Sequence, residues 1–231
     1  CIRDSPLIRC YGEVLNLRDV TERSYPKYIG DNPARKVRHY IARGGLLREY
    51  LDQLLFEKST GNFATGFKLM YSMTRWRPYE FPMVLRYIRQ RHLPVIHLTR
   101  SNVLHTYLSR ETAKASQVWH SQDSVAQRPK LHLRPEDIVE ALSRIEHEDQ
   151  AWSAKLTPFQ PLSITYEELT QSFDDVAARI LSFLDVDPTV RLESPLRKIN
   201  PKDVSQIIEN FADVRSTLTG TRFAPLLESG S

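Results

Sequence analysis

Cysteine is nearly absent: Cys1 and Cys10 are the only two, so no disulfide framework can staple the chain. A single bridge between them is open to the pair, but two free thiols in a reducing compartment fit better, and the cytoplasm is the expected location. The seven histidines are scattered and never reach an H-x-x-x-H spacing, so no metal centre is expected. Glycine is also scarce. The eight glycines build no G-x-x-x-x-G-K-[ST] loop, which argues against a P-loop kinase. No apolar run approaches membrane-spanning length, and neither a signal-peptide pattern nor an N-x-[ST] sequon occurs, so no membrane span is expected. Charge of one sign is lacking too. Lysine and arginine number 32 against 28 acids, and the net charge of +4 tilts only mildly toward anionic ligands. The basic residues interleave with acids, without a run of stacking aromatics, so nucleic acid is not an expected partner.

What the chain does have is ordinary globular material, enough for a real core in 231 residues. Ile8-Arg9-Cys10-Tyr11 reads as a short extended piece that turns at Gly12 onto Glu13. Residues 20–40 carry Pro26, Gly30, Asn32 and Pro33 among charges, and read as a long surface loop. Leu46, Tyr50 and Leu54, with Leu47, Leu51 and Leu55, repeat at i, i+4 and predict an amphipathic helix. Phe63 to Tyr71 reads as a buried strand carrying Lys68, and Met83, Val84, Tyr87 and Ile88 mark a helix. A polar stretch to Lys130 reads as a loop. Arg134-Pro135-Glu136-Asp137 opens another helix, with proline and acids in the favoured first turn. Pro161 to Tyr166 reads as a strand, Val176 to Leu184 as a helix, and Asn200-Pro201 as the cap of a helix through Ile207-Ile208, with Gly220 closing the last one. Strands alternating with helices predict an α/β fold with a parallel sheet flanked by helices, in one domain over residues 1–231.

The chain's centre of interest is Pro94-Val95-Ile96-His97-Leu98-Thr99-Arg100-Ser101-Asn102. The apolar stretch predicts a buried strand ending on Arg100, and Asn102 can cap the next helix. Arg100 then stands at the carboxyl edge of a sheet, beside a helix N-terminus that attracts anions. The other reading of Arg100 is a surface arginine paired with a neighbour.

Four runs in register carry a resemblance: GFKLMYSM at 66–73, VIHLTRSNVLHTYLSRETA at 95–113, ITYEELTQSFDDVAARILSFLDVD at 164–187, and the closing NFADVRSTLTGTRFAPLL. Together they resemble the bacterial carbohydrate-type sulfotransferases and, less closely, the tyrosylprotein sulfotransferases. That resemblance implies a three-layer fold of the P-loop-containing nucleotide hydrolase type. It also implies transfer of a sulfuryl group from 3′-phosphoadenosine 5′-phosphosulfate (PAPS) to an acceptor hydroxyl, on a carbohydrate or small molecule. The alternative is a catalytically inactive sulfotransferase-like module that binds nucleotide or serves as a scaffold.

By the same resemblance, Arg100 and Ser109 grip the 3′-phosphate, Arg as a planar fork and Ser as a neutral donor. Glu13, on its glycine turn, matches the general base, and the bland reading is an exposed turn glutamate. Lys68 matches a lysine that stabilises the transferring group, against a lysine emerging at the sheet's edge. Tyr166 matches a strand-end tyrosine near the nucleotide, or is a packing aromatic. Ser194, Arg197 and Lys198 fall where the family has phosphate-binding donors. The family's Ser/Gly-rich loop of the form R-S-G-S/T-x-x-L, which cradles the 5′-phosphosulfate, has no counterpart. The first strand and that loop are therefore expected upstream of Cys1, leaving the domain N-terminally incomplete as given.

Overall fold

The computed structural model describes residues 8–16, 23–30, 32–56, 64–116, 130–192 and 203–228. They group into two compact units, one drawn from 1–95 and 177–194, the other from 96–176 and 195–231.

In the first unit, strand β1 (Ile8–Cys10) pairs in parallel with β2 (Ala64–Gly66), Cys10 lying opposite Gly66. Two further bonds extend the contact: Tyr11 N donates to Gly66 O at 2.9 Å and Lys68 N to Gly12 O at 2.8 Å. Gly12 sits at φ +70, where a side chain would be strained, and there the chain turns onto Glu13. The strand expected over 63–71 is thus shorter. It stops at Gly66 because its partner bends away at Gly12, and Lys68 follows the strand instead of lying within it.

The long loop expected over 20–40 is mostly helix: α1 (Tyr25–Gly30) and α2 (Pro33–Ile41). The reason is local. Asn32 accepts from Ala34 N and Arg35 N through Oδ1, and Pro33 takes the first helical position, so the pair starts a helix. The helix expected from leucine spacing is α3 (Arg43–Phe56), which buries Leu46, Leu47, Tyr50, Leu51 and Leu54. It packs against α5 (Glu80–Gln90), which follows the short α4 (Met73–Trp76) and buries Phe81, Val84, Tyr87 and Ile88. Each such fully buried side chain contributes about 1.5–3 kcal/mol.

In the second unit, β3 (Ile96–Thr99) pairs in parallel with β4 (Leu162–Thr165), Thr99 opposite Thr165. Helix α6 (Val103–Ser116) follows β3. Helix α7 (Pro135–Leu156) starts at the expected proline, with Glu136 and Asp137 in its first turn. After β4 come α8 (Tyr166–Gln171) and α9 (Phe173–Phe183), and α10 (Phe211–Leu218) lies near the end of the chain. Helices α6 and α10 both pack on α7 around Leu104, Leu108, Ile138, Leu142, Ile208 and Leu218. The expected Asn200-Pro201 cap lies outside the described residues. Among the described residues Asp203 caps the turn at Val204–Gln206, Ser205 N donating to its Oδ1 at 2.9 Å.

The β3 expectation needs correcting on burial. His97 is the buried residue of the strand, 5% exposed, while Leu98 is 50% exposed and Ile96 is exposed too. Alternation sends neighbours to opposite faces, and here the face carrying the two aliphatic residues is the open one. Burial lowers the His97 pKa, because an imidazolium there would lose its water. The chain is α/β, and among the described residues the strands pair in parallel in two small two-stranded sheets. Among the described residues no helix is long and apolar enough to cross a membrane.

Candidate functional site

Register brings the first group of candidates together. Thr99 faces Thr165 in the β3–β4 ladder, so the residues that leave the two strands leave side by side. Arg100 follows one and Tyr166-Glu167 the other. The Arg100 guanidinium lies 4.6 Å from the Tyr166 ring centroid, a cation–π contact. Its Nη1 donates to His105 O at the long distance of 3.5 Å, and its Nε stands 3.7 Å from Glu167 Oε1, an ion pair beyond hydrogen-bond reach. Arg100 Nε is buried and has no hydrogen-bond partner among the described residues. Burial pulls the Arg100 pKa down, while Tyr166 and Glu167 push it back up. A guanidinium keeps its charge regardless, so a cation is held here with one donor unsatisfied.

Asn102 caps α6 as expected: His105 N donates to its Oδ1 at 3.1 Å. Glu167, to which the sequence reading gave no role, supplies the neighbouring acceptors. Ser101 N donates to Glu167 Oε2 at 2.9 Å and Asn102 N to Oε1 at 3.3 Å. One carboxylate thus ties the β3–α6 turn to the start of α8. The next acid does something different. Glu168 closes a capping box with Thr165, accepting from Thr165 N at 2.7 Å while its own N donates to Thr165 Oγ1. Ser109 is exposed on α6, two turns beyond the cap. Ser194, Arg197 and Lys198 lie outside the described residues.

The second group lies in the first unit, and its members meet each other. Lys68 Nζ donates to Glu13 Oε1 at 3.0 Å, and Asn16 Nδ2 donates to Glu13 Oε2 at 2.8 Å. The Gly12 turn presents the carboxylate, and the Lys68 N–Gly12 O bond sets the ammonium beside it. Both side chains are partly shielded from water. Asn16 was missed because nothing in a lone asparagine signals a partner three residues back. A cavity of about 450 Å³ lies elsewhere, at the far end of α6, lined by Glu111, Lys114, Lys130 and His132 among others, and none of the candidates borders it. Among the described residues, no group of three or more His, Cys, Asp or Glu is placed to hold a metal ion.

Comparison with known families decides the class. Residues 86–213 match the family model described as Stf0 sulphotransferase. The chain belongs to that sulfotransferase family. The matched span is more than half of the 231 residues and contains Arg100, Ser109, Tyr166, Ser194, Arg197 and Lys198. Glu13 and Lys68 of this sulfotransferase precede it. No curated protein and no solved structure matches the chain.

Proposed function

We propose that this sulfotransferase takes PAPS as its donor and delivers the sulfuryl group to a hydroxyl on a carbohydrate or small molecule. The observation that supports it best is the Arg100 guanidinium, laid on Tyr166 with a buried donor unpartnered. A dianionic phosphate would satisfy that donor and offset the desolvation of the charge. In this reading Arg100 and Ser109 hold the 3′-phosphate, Tyr166 stacks beside the nucleotide, and Ser194, Arg197 and Lys198 add further phosphate donors. The parent architecture is a three-layer fold of the P-loop nucleotide hydrolase type, with both units in one domain. The family match draws residues from both units' ranges, which supports that reading.

The chemistry asks little covalent work of the protein. Sulfuryl transfer resembles phosphoryl transfer: the acceptor oxygen attacks sulfur in line, the bond from sulfur to the bridging phosphate oxygen breaks, and adenosine 3′,5′-bisphosphate leaves. Glu13 accepts the proton released by the acceptor hydroxyl, and Asn16 holds the carboxylate by its other oxygen. Lys68 neutralises charge on the transferring group.

Thermal unfolding with adenosine 3′,5′-bisphosphate tests the donor assignment. The nucleotide is expected to raise Tm, and Arg100→Ala to abolish the shift. No shift at millimolar nucleotide would sink the reading.

A further inference from the structure

The turn that presents Glu13 is anchored at its far end by a side chain with no part yet in the chemistry. Val14 and Leu15 are buried, and their carbonyls accept from separate donors. Tyr25 N donates to Val14 O at 2.8 Å, and Arg77 Nε to Leu15 O at the long distance of 3.4 Å. Arg77 itself is firmly placed. It follows α4, its N–H donating to Met73 O at 2.7 Å, and its carbonyl accepts from Phe81 N of α5 at 3.0 Å. Its side chain is 13% exposed, with Nη1 3.7 Å from Glu80 Oε1. Charge alone does not account for a cation there. The buried Glu80 carboxylate already has Arg43 Nε at 3.9 Å and His39 Nε2 at 3.7 Å, so it is neutralised without Arg77. What sets Arg77 apart is its bond to the Glu13 turn. The segment 68–77 therefore grips that turn twice. Lys68 takes one end, through N–H to Gly12 O and ammonium to Glu13, and Arg77 takes the other.

We propose that Arg77 is a positioning residue for the general base, keeping Glu13 in place once Lys68 turns to the transferring group. At that moment the carboxylate gives up its 3.0 Å bond from Lys68 and keeps the one from Asn16, which directly follows the anchored Leu15. A slack turn would let Glu13 and Asn16 drift together, and a drift of about 1 Å is enough to cost about a hundredfold in rate. Arg77 acts through the Leu15 carbonyl, not on the reacting atoms. The inference rests on the reading of Glu13 as the base.

Two reciprocal variants test it. Arg77→Gln sets an amide nitrogen where Nε stands and gives up the charge, whereas Arg77→Lys keeps a cation near Glu80 and gives up the Nε donor. Turnover is read with sulfur-labelled PAPS and a pool of neutral mono- and disaccharides. Arg77→Lys is expected to lower kcat by about ten- to a hundredfold, with KM for PAPS and the bisphosphate-induced rise in Tm unchanged. Arg77→Gln should turn over close to wild type. In a Glu13→Gln background Arg77→Lys should cost nothing further, which a merely structural role would not give. Independently of turnover, Arg77→Lys should speed hydrogen exchange at the Val14 and Asn16 amides about fivefold, the equivalent of one hydrogen bond. The proposal is overturned if those amides exchange as in wild type, or if Arg77→Gln is as slow as Arg77→Lys. It is also overturned, with the base reading intact, if Glu13→Gln is slow while Arg77→Lys keeps the wild-type kcat or slows Glu13→Gln by the same factor. Wild-type turnover in Glu13→Gln removes the base and the positioning role with it. A wild type that transfers no label refutes the carbohydrate acceptor, and amide exchange then decides whether Arg77 holds the turn.

Discussion

The corner around Arg100 and the pair formed by Glu13 and Lys68 are opposite solutions to holding charge. Arg100 keeps a buried donor without an acceptor, its nearest carboxylate being 3.7 Å away and engaged with two backbone N–H groups. Glu13 and Lys68 satisfy each other at 3.0 Å, and Asn16 occupies the second carboxylate oxygen. The first arrangement leaves a donor that an incoming anion would satisfy. The second is electrically closed, and something must draw its two members apart before either can act. In the proposed chemistry the donor's sulfuryl group does so by attracting the ammonium, which frees Glu13 Oε1 for the acceptor's proton.

Turnover separates the two most sharply. Glu13→Gln keeps shape and removes the base, so label transfer from sulfur-labelled PAPS is expected to fall by about 10²–10⁴ fold. The bisphosphate-induced rise in Tm should survive that change, whereas Arg100→Ala loses it. A Glu13→Gln protein that transfers label at the wild-type rate would remove the base from the pair. Stability then distinguishes the carboxylates. Glu167→Ala removes the charged acceptor of Ser101 N and of the more shielded Asn102 N at the start of α6 and should destabilise the protein by about 1–3 kcal/mol, read from thermal unfolding. Lys68→Met breaks a part-exposed ion pair and should change stability by less than about 1 kcal/mol while transfer is lost. Equal destabilisation by the two would mean that Glu167 and Lys68 contribute alike to the fold.

The smallest effect concerns pH. His39 has its pKa lowered, first by burial and then by Arg43, with Glu80 opposing and Arg77 adding to the drop. The unfolded chain therefore binds a proton at His39 more readily than the folded one does. Its contribution is fully present above about pH 6.5 and is lost as pH falls through the lower folded value. Tm should decline over that window, and His39→Gln should flatten the decline.

Periodicity made α3, α5, α7 and α9 legible, and one asparagine after one arginine was enough to foresee the capped corner at Asn102. The failures have physical causes. Asn32-Pro33 carries the composition of a loop and the chemistry of a helix start, and composition alone favoured the wrong one. The apolar look of Ile96 and Leu98 said nothing about which face of β3 would be covered. Lys68 was misplaced because the end of β2 is set by Gly12, more than fifty residues earlier. Glu167 stayed invisible as a cap because its donors lie 65 and 66 residues away, joined to it only through sheet register.

The junction where β4 becomes α8 sets a tolerance for change in length. Tyr166, Glu167 and Glu168 perform three different tasks at three consecutive positions: a ring under a guanidinium, a cap on a distant helix, and a cap on their own. Adding or removing one residue between Thr165 and Glu168 would rotate the side chains by about 100° where the segment is helical, and hand each task to the wrong neighbour. Indels should therefore be purged from this short stretch even where point substitutions are accepted.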